Sequence, residues 1–477
     1  MSCSAILFAA AVSVNFNLEV GKIRPELHSS GFGPQICSCP QENLDNIKSM
    51  NFKAARTHDW ALINPNERVC DYFHIFPLMH LDAKDPSNYV FGPTDYLLKR
   101  TRDEMGLDIF YRLGTSIEHS GPKVHFNSLI PEDFDKVAEI FAGTIRHYNC
   151  GWANGYKWGI KYWEIWNEPD GFNNMWCLPD GDGGVGDTED ARKADRKARD
   201  LKRRALFVKF FVTCLKRIKS EFPDVKVGGP AMCGMSTDYF RDILKGCKEA
   251  GVAPEFISWH HYSNSVKVIM DAIEAGRKLC DEMGFPKCEL IINEWHYFDH
   301  DKYGWADLRS PIPEKRAKAW SGPASHNGID SSCFNLTMLT KFQSSKLDQA
   351  YYYGCRNVGA WGFLDGNQNK YKVFFGLKMF GDFLRQCQTM CSAAGTDKIT
   401  VLAGKGKGGE KAVLVTDFRS GEHEISVDIT GVPENGKPTV LMHDYTHDLA
   451  QVPAVFSDGK LLLRKTDTNS AAFLIMF

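Results

Sequence analysis

Residues 162–170, Tyr-Trp-Glu-Ile-Trp-Asn-Glu-Pro-Asp, decide how this chain is read. Tyr162, Trp163, Ile165 and Trp166 are β-formers, and Pro169-Asp170-Gly171 cannot continue a ladder. The stretch therefore reads as a buried strand that stops abruptly, with Asn167 and Glu168 at its C-terminal lip. A carboxyl group set among tryptophans loses part of its hydration, which raises its pKa and keeps its proton near neutral pH. Such a group can protonate a leaving oxygen. The plain alternative is a surface Glu that closes a strand. A second carboxylate further along the chain decides between the two.

Residues 289–295, Glu-Leu-Ile-Ile-Asn-Glu-Trp, supply one. They read as a second buried strand ending in Glu294 and Trp295. Around these two, short strands alternate with amphipathic stretches. Strands are predicted at 27–32, 53–59, 108–114, 161–167, 225–231, 256–262, 289–295 and 357–363. Helical stretches are predicted at 41–50, 93–105, 132–149, 203–220, 237–249, 265–283, 332–347 and 375–387. Eight such units make the α/β pattern of a (β/α)8 TIM barrel. Strands four and seven then face each other across its C-terminal mouth, so Glu168 and Glu294 can flank one glycosidic bond. A retaining mechanism needs the two carboxyls about 5–5.5 Å apart, one as acid/base and one as nucleophile, whereas an inverting one needs a wider gap.

Other strand ends offer polar groups. Arg56-Thr57-His58-Asp59 closes the second strand, and alternation puts Arg56 and His58 on one side. Arg56 can hydrogen-bond the nucleophile, and His58 a sugar hydroxyl; a barrel-core ion pair and a structural histidine are the competing readings. Trp259-His260-His261-Tyr262 closes the sixth strand, with His260 and Tyr262 expected inward. A Tyr262 hydroxyl beside the nucleophile favours its ionised form. Adjacent strand positions point apart, so His260-His261 is not expected to hold a metal. The Asn167 amide can donate to a sugar 2-hydroxyl. Trp361, taken as the end of the eighth strand, can stack on a sugar face or plug the barrel.

The chain has 477 residues, enough for a large domain and a small one. From about residue 394 the pattern turns β-rich, at 398–403, 411–418, 422–430, 438–443, 459–465 and 470–476, which reads as an antiparallel sandwich. Glu19–Pro25 reads as a connector. The N-terminal strand, 6–18, has no helix after it and is expected to join that sandwich. The expected domains are 1–25 with the sandwich, 26–388 as the barrel and 389–477 as the sandwich. Long segments at 170–200 and 296–330 lie on the mouth side. The first holds Phe172 and Trp176, the second Trp305 and Trp320. Asp180-Gly181-Asp182 lacks the spacing of a calcium loop and reads as a solvated turn.

Lys and Arg total 57 against 59 Asp and Glu, a net charge of −2 that gives no case for nucleic acid or an anionic membrane as a partner. The 15 cysteines are odd in number and scattered, with Cys37-Ser38-Cys39 the sole close pair. Free thiols are expected, and with no clear signal peptide they point to the cytoplasm. No window of 18 apolar residues suggests a membrane span. A homo-oligomer is left open.

Taken together, "GKIRPELHSSGFGP" (21–34), "RTHD" (56–59), "EIWNEPD" (164–170), "FISWHHYS" (256–263) and "INEWHYF" (292–298) resemble the clan of (β/α)8 retaining glycosidases, and within it glycoside hydrolase family 39. That family includes β-xylosidases and α-L-iduronidases and joins the barrel to a β-sandwich built partly from the chain's start. The resemblance implies Glu168 as acid/base, Glu294 as nucleophile, retention of configuration and no cofactor. A glycoside or oligosaccharide is the expected substrate, and Asn167, Arg56, His58, His260, Tyr262, Trp295 and Trp361 are the expected substrate-binding residues. A β-xyloside is the expected substrate. β-Glucoside, α-L-arabinofuranoside and uronide specificities stay open, as does a silent carbohydrate-binding protein on the same fold.

Overall fold

The computed structural model describes residues 10–31, 41–60, 68–116, 128–171, 175–181, 183–365, 367–467 and 469–477. Strand β1 (Ala10–Lys22) opens the chain. Then β2 (Ser29–Ser30), β3 (Ala54–Arg56), β4 (Asp108–Leu113), β5 (Tyr162–Ile165), β6 (Lys226–Met232), β7 (Phe256–Ser263), β8 (Glu289–Tyr297) and β9 (Gln349–Tyr352) close into a barrel in that order. Every neighbouring pair, β2 with β9 included, runs parallel. Parallel strands need long crossovers, and helices supply them, among them Phe134–Cys150, Glu189–Glu221, Thr237–Glu249, Val266–Met283 and Ile329–Gln343.

The helix Phe134–Cys150 shows how locally these elements are specified. Asp133 accepts from the Lys136 amide at 2.9 Å and caps its start, and Gly151, at φ 80°, ends it in the left-handed conformation. Val137, Ile140, Phe141 and Ile145 fall on one stripe and are fully buried against the barrel. Each such side chain contributes about 1.5–3 kcal/mol by leaving water. The barrel's floor is a ring of Phe110, Tyr162, Phe256 and Tyr351, so the cylinder is filled rather than open.

Two sequence expectations change. The eighth barrel strand is β9, not 357–363. Gly359, at φ 109°, turns the chain within that run, which instead gives two short parallel strands outside the barrel, β10 (Arg356–Val358) and β11 (Gly362–Leu364). The supposed connector Glu19–Pro25 is mostly the end of β1.

The remaining strands are β12 (Thr389–Ala394), β13 (Ile399–Lys405), β14 (Lys411–Asp417), β15 (Glu424–Thr430), β16 (Thr439–His443), β17 (Asp448–Val452), β18 (Phe456–Ser457), β19 (Lys460–Arg464) and β20 (Ala471–Met476). With β1 they form one ten-stranded sheet, ordered β17-β16-β20-β14-β13-β12-β1-β15-β19-β18. It is antiparallel except where β1 runs parallel to β15. Val12, Val14, Phe16, Val413, Val415, Val427, Phe473 and Ile475 come from both halves of the sheet and share one core, so the sheet folds on itself as a sandwich. Alternate residues Ala412, Leu414 and Leu474 join the barrel's core instead. Polar ties cross the junction: Arg419 reaches Asp330 at 2.8 Å and the Tyr297 hydroxyl at 2.8 Å, and Ser332 meets His443 at 2.9 Å.

The structure places none of the twelve described cysteines in a disulfide. Cys37, Cys39, Phe172 and Asp182 lie outside the described residues. Asp180 pairs with Arg199 at 2.7 Å. No described helix is long and apolar enough to cross a membrane.

Candidate active site

The mouth of the barrel is organised by one guanidinium. Arg56 ends β3, is wholly buried, and sends its three nitrogens to three acceptors. Nε donates to Glu164 at 2.7 Å, Nη1 to Glu294 at 2.9 Å and Nη2 to the Asn167 side-chain oxygen at 2.7 Å. Glu164 lies inside the barrel on β5, its other oxygen taking bonds from Ser258 and Asn293 at 2.6 Å each. Four strands are thus tied by one charge network, and a guanidinium's planar fork suits that geometry.

The nucleophile candidate sits where a strand has one residue too many. Trp259 pairs with Ile292 and His260 with Glu294, so β8 carries an extra residue between them; the same irregularity appears against β9. In a regular strand Asn293 and Glu294 would point to opposite faces. The bulge turns both inward, Asn293 to Glu164 and Glu294 to Arg56. Glu294 also accepts from the Tyr262 hydroxyl at 2.7 Å.

Glu168 stands just past β5, at φ 45°, with its amide bonded to the Ala231 carbonyl at 2.9 Å. Ala231, at φ 57°, and Trp166, at φ 74°, share that left-handed backbone, which side chains adopt at a cost. Gly114 is needed beneath, because a Cβ there would lie 2.9 Å from the Trp166 ring. The Glu168 carboxyl meets His260 Nδ1 at 2.8 Å, and the other nitrogen of that ring, Nε2, is 3.4 Å from Glu294. A single imidazole therefore touches both carboxyls.

Burial lifts Glu168 to a pKa of about 7, against the pull of the Cys233 thiol and Arg56. Burial also raises Glu294, opposed by His260, Arg56 and the Tyr262 hydroxyl. Glu294 carries more hydrogen-bond donors on its carboxyl, from Arg56 and Tyr262, and these favour its charged form. Burial lowers His260 to about 4, so the ring is neutral at neutral pH. His58 is neutral for the same reason, its buried ring lying among Arg56, Arg112 and His260.

Of the residues singled out from sequence, Arg56, His58, Asn167, Glu168, His260, Tyr262 and Glu294 converge here. Trp361 also borders the site, 5.7 Å from the Tyr262 ring and 5.9 Å from Trp305, but from the turn between β10 and β11 rather than from a barrel strand. Trp295 does not belong to it. Strand alternation turns it away from Glu294, and it packs fully buried on Phe342 and Tyr352 behind the barrel wall. Trp176 is likewise core, packed on Trp166 and Phe210. Sequence reading missed Glu164, although a lone carboxylate between Trp163 and Ile165 in a buried strand was signal enough. It also missed Cys233 and Asp170, which the backbone brings to Glu168 through a 3.0 Å bond from the Cys233 amide to Asp170. Among the described residues no group of three or more His, Cys, Asp or Glu side chains could cage a metal.

No family model matches the chain. It is 27% identical over 186 residues to a beta-xylosidase of Geobacillus stearothermophilus, a match covering 35% of this chain and 32% of that protein. The match therefore spans about a third of the length of that relative. In structure it is similar to a glucosidase from Croceicoccus marinus, with a TM-score of 0.73, 18% identity, and 98% of this chain and 99% of that one covered. It is also similar to a GH39 beta-xylosidase from Caulobacter crescentus, with a TM-score of 0.65, 14% identity, and 98% and 100% covered. The barrel-plus-sandwich architecture is thus one seen among glycosidases, and the chain resembles family 39.

Proposed function

We propose that the chain is a retaining exo-glycoside hydrolase acting on a β-xyloside. One observation carries this reading: Glu168 and Glu294 meet at His260 across the barrel mouth, in environments that hold a proton on one and donate hydrogen bonds to the other. With the imidazole neutral, its hydrogen goes to Nε2, facing the Glu294 anion. Nδ1 is then left to accept from a protonated Glu168. A protonated acid and an ionised nucleophile are the starting state of double displacement.

Glu294 attacks the anomeric carbon while Glu168 gives its proton to the leaving oxygen. The glycosyl ester on Glu294 is then opened by a water that Glu168, now a base, deprotonates, which restores both groups. Arg56 and Tyr262 stabilise Glu294 as it leaves the ester. The Asn167 amide nitrogen is buried and has no partner, and its oxygen is fixed by Arg56, so it is oriented to donate to a sugar hydroxyl. Trp361 offers an apolar face to the ring. The β-xyloside assignment rests on the relatives' names.

Aryl glycosides test this directly. Glu168→Ala and Glu294→Ala should each lower turnover of an aryl β-xyloside by about 10³-fold or more. Azide should rescue the Glu294 variant as a glycosyl azide, and the first-formed product should keep its anomeric configuration by NMR. Near-parental turnover in both variants would sink the assignment.

A further inference from the structure

Asp59 lies one residue beyond His58 at the end of β3 and is 2% exposed. Its backbone is left-handed, at φ 56°, which costs free energy unless something is gained by the placement. Its Oδ1 is buried and accepts no hydrogen bond. That oxygen is 3.5 Å from His58 Nε2, and the same nitrogen is 3.5 Å from Glu294 Oε1. His58 itself makes no hydrogen bond at either nitrogen. Beside the nucleophile, then, stand a carboxylate oxygen and an imidazole that are both shut from solvent and both unpaired.

Among the described residues no cation answers the Asp59 carboxylate. Arg56 is spent on Glu164, Glu294 and Asn167, and Arg112 on Asp71 at 2.6 Å. Arg68 leans toward the Asp59 backbone oxygen, at 3.5 Å, rather than its carboxylate. A buried acceptor left in this state is costly unless a ligand supplies the missing donors. A sugar supplies them as hydroxyl hydrogens, and a carboxylate can take two from adjacent ring carbons.

We propose that Asp59 is the specificity-determining residue of this site: it accepts hydrogen bonds from two neighbouring hydroxyls of the sugar whose anomeric carbon lies on Glu294. This rests on the glycosidase reading and deepens it. The site then takes a neutral terminal sugar with a free diol, and it rejects a uronide, whose carboxylate would face that of Asp59. His58, beside it, orders the same edge of the ring.

Asp59→Asn tests this, because Asn also tolerates the left-handed backbone and keeps the shape while exchanging one acceptor oxygen for a donor. The probes are nitrophenyl β-D-xyloside, its 3-deoxy and 4-deoxy forms, and nitrophenyl β-D-glucuronide. The parent protein should lose on the order of 100-fold in kcat/KM when either hydroxyl is removed, and the variant less than about 10-fold. The glucuronide should gain relative to the xyloside in the variant. Asp59→Gly, equally at ease at this φ, should flatten the same ratios. Parent and variants showing the same discrimination would overturn the proposal. If the parent turns over no glycoside, the hydrolase reading falls separately. Calorimetric titration of xylose and its deoxy forms into parent and variant proteins then decides Asp59 by the same ratios.

Discussion

Among the buried ionic clusters of the described residues, two invite comparison: Lys465 with Asp417 in the sandwich, and Arg56 with Glu164 and Glu294 at the barrel mouth. They differ in how completely they are closed. Lys465 donates to Asp417 at 2.6 Å and to the Asn469 carbonyl at 2.8 Å, while Asp417 also takes the amide and hydroxyl of Ser420. At the mouth Asn167 Nδ2, Asp59 Oδ1 and both nitrogens of His58 have no hydrogen-bond partner among the described residues. Buried polar groups are ordinarily satisfied within the protein. A charge network that ties strands together while its rim stays unpaired is arranged for something that arrives later. The sandwich cluster closes on itself, whereas the mouth keeps donors and acceptors that no described side chain takes.

The largest expected effect separates stability from chemistry. Lys465→Met leaves the Asp417 carboxylate buried without its cation and should cost about 3–5 kcal/mol of unfolding free energy. Turnover per folded molecule should not change. Arg56→Met should lose a similar amount and, in addition, at least about 100-fold in kcat, because Glu294 and Asn167 lose their anchor. Denaturant melts paired with active-site titration check both. A Lys465 variant that is stable but slow would break the contrast.

A smaller effect is tied to pH. The folded pKa of Glu168, about 7, stands above its ordinary 4.5, so the folded protein holds this proton more tightly than the unfolded chain. The resulting stabilisation is complete below about pH 4.5 and is lost as pH rises through 7. Glu168→Gln removes that dependence. Relative to the parent it should gain roughly 2–3 kcal/mol at pH 8 compared with pH 4, read from urea melts at the two pH values. The kcat/KM profile of the parent should fall on its alkaline side near pH 7 for the same reason. A stability difference that is flat between the two pH values would mean the proton is not held where the mouth's burial implies.

The smallest effect belongs to exposed charge. Arg199 pairs with Asp180 and Asp195 on the outer surface. Arg199→Ala should leave the thermal midpoint nearly unchanged, and any small loss should shrink in high salt. A larger loss in thermal melts would show that charge pairs far from the mouth carry more of the fold than their exposure suggests.

Most of the barrel could be read from residue order because its strands and helices obey simple periods. β5 and β8 announced themselves through apolar runs that stop at a carboxylate. The last barrel strand did not. Gln349-Ala350-Tyr351-Tyr352 is only four residues long, and the more apolar run that follows it drew the assignment until Gly359 turned the chain. Trp295 was misplaced for a related reason. Alternation alone puts it opposite its neighbour, but proximity in sequence to Glu294 suggested a shared site. Cys233 and Asp59 depend on where two separate strands end in space, which no local pattern encodes. The bulge in β8 is of the same kind, since an extra residue shows only against a partner strand.

The place of β1 in the sheet bears on how the protein is made. Its two neighbours, β12 and β15, begin at residues 389 and 424, whereas β1 itself ends at residue 22. At ordinary ribosomal speeds its thirteen residues therefore emerge on the order of half a minute before either edge can be covered. During that interval an alternating apolar strand is exposed with nothing to bind, a condition that invites association between nascent chains. The barrel's residues are made between the first strand and its partners, so the small domain is completed after the larger one.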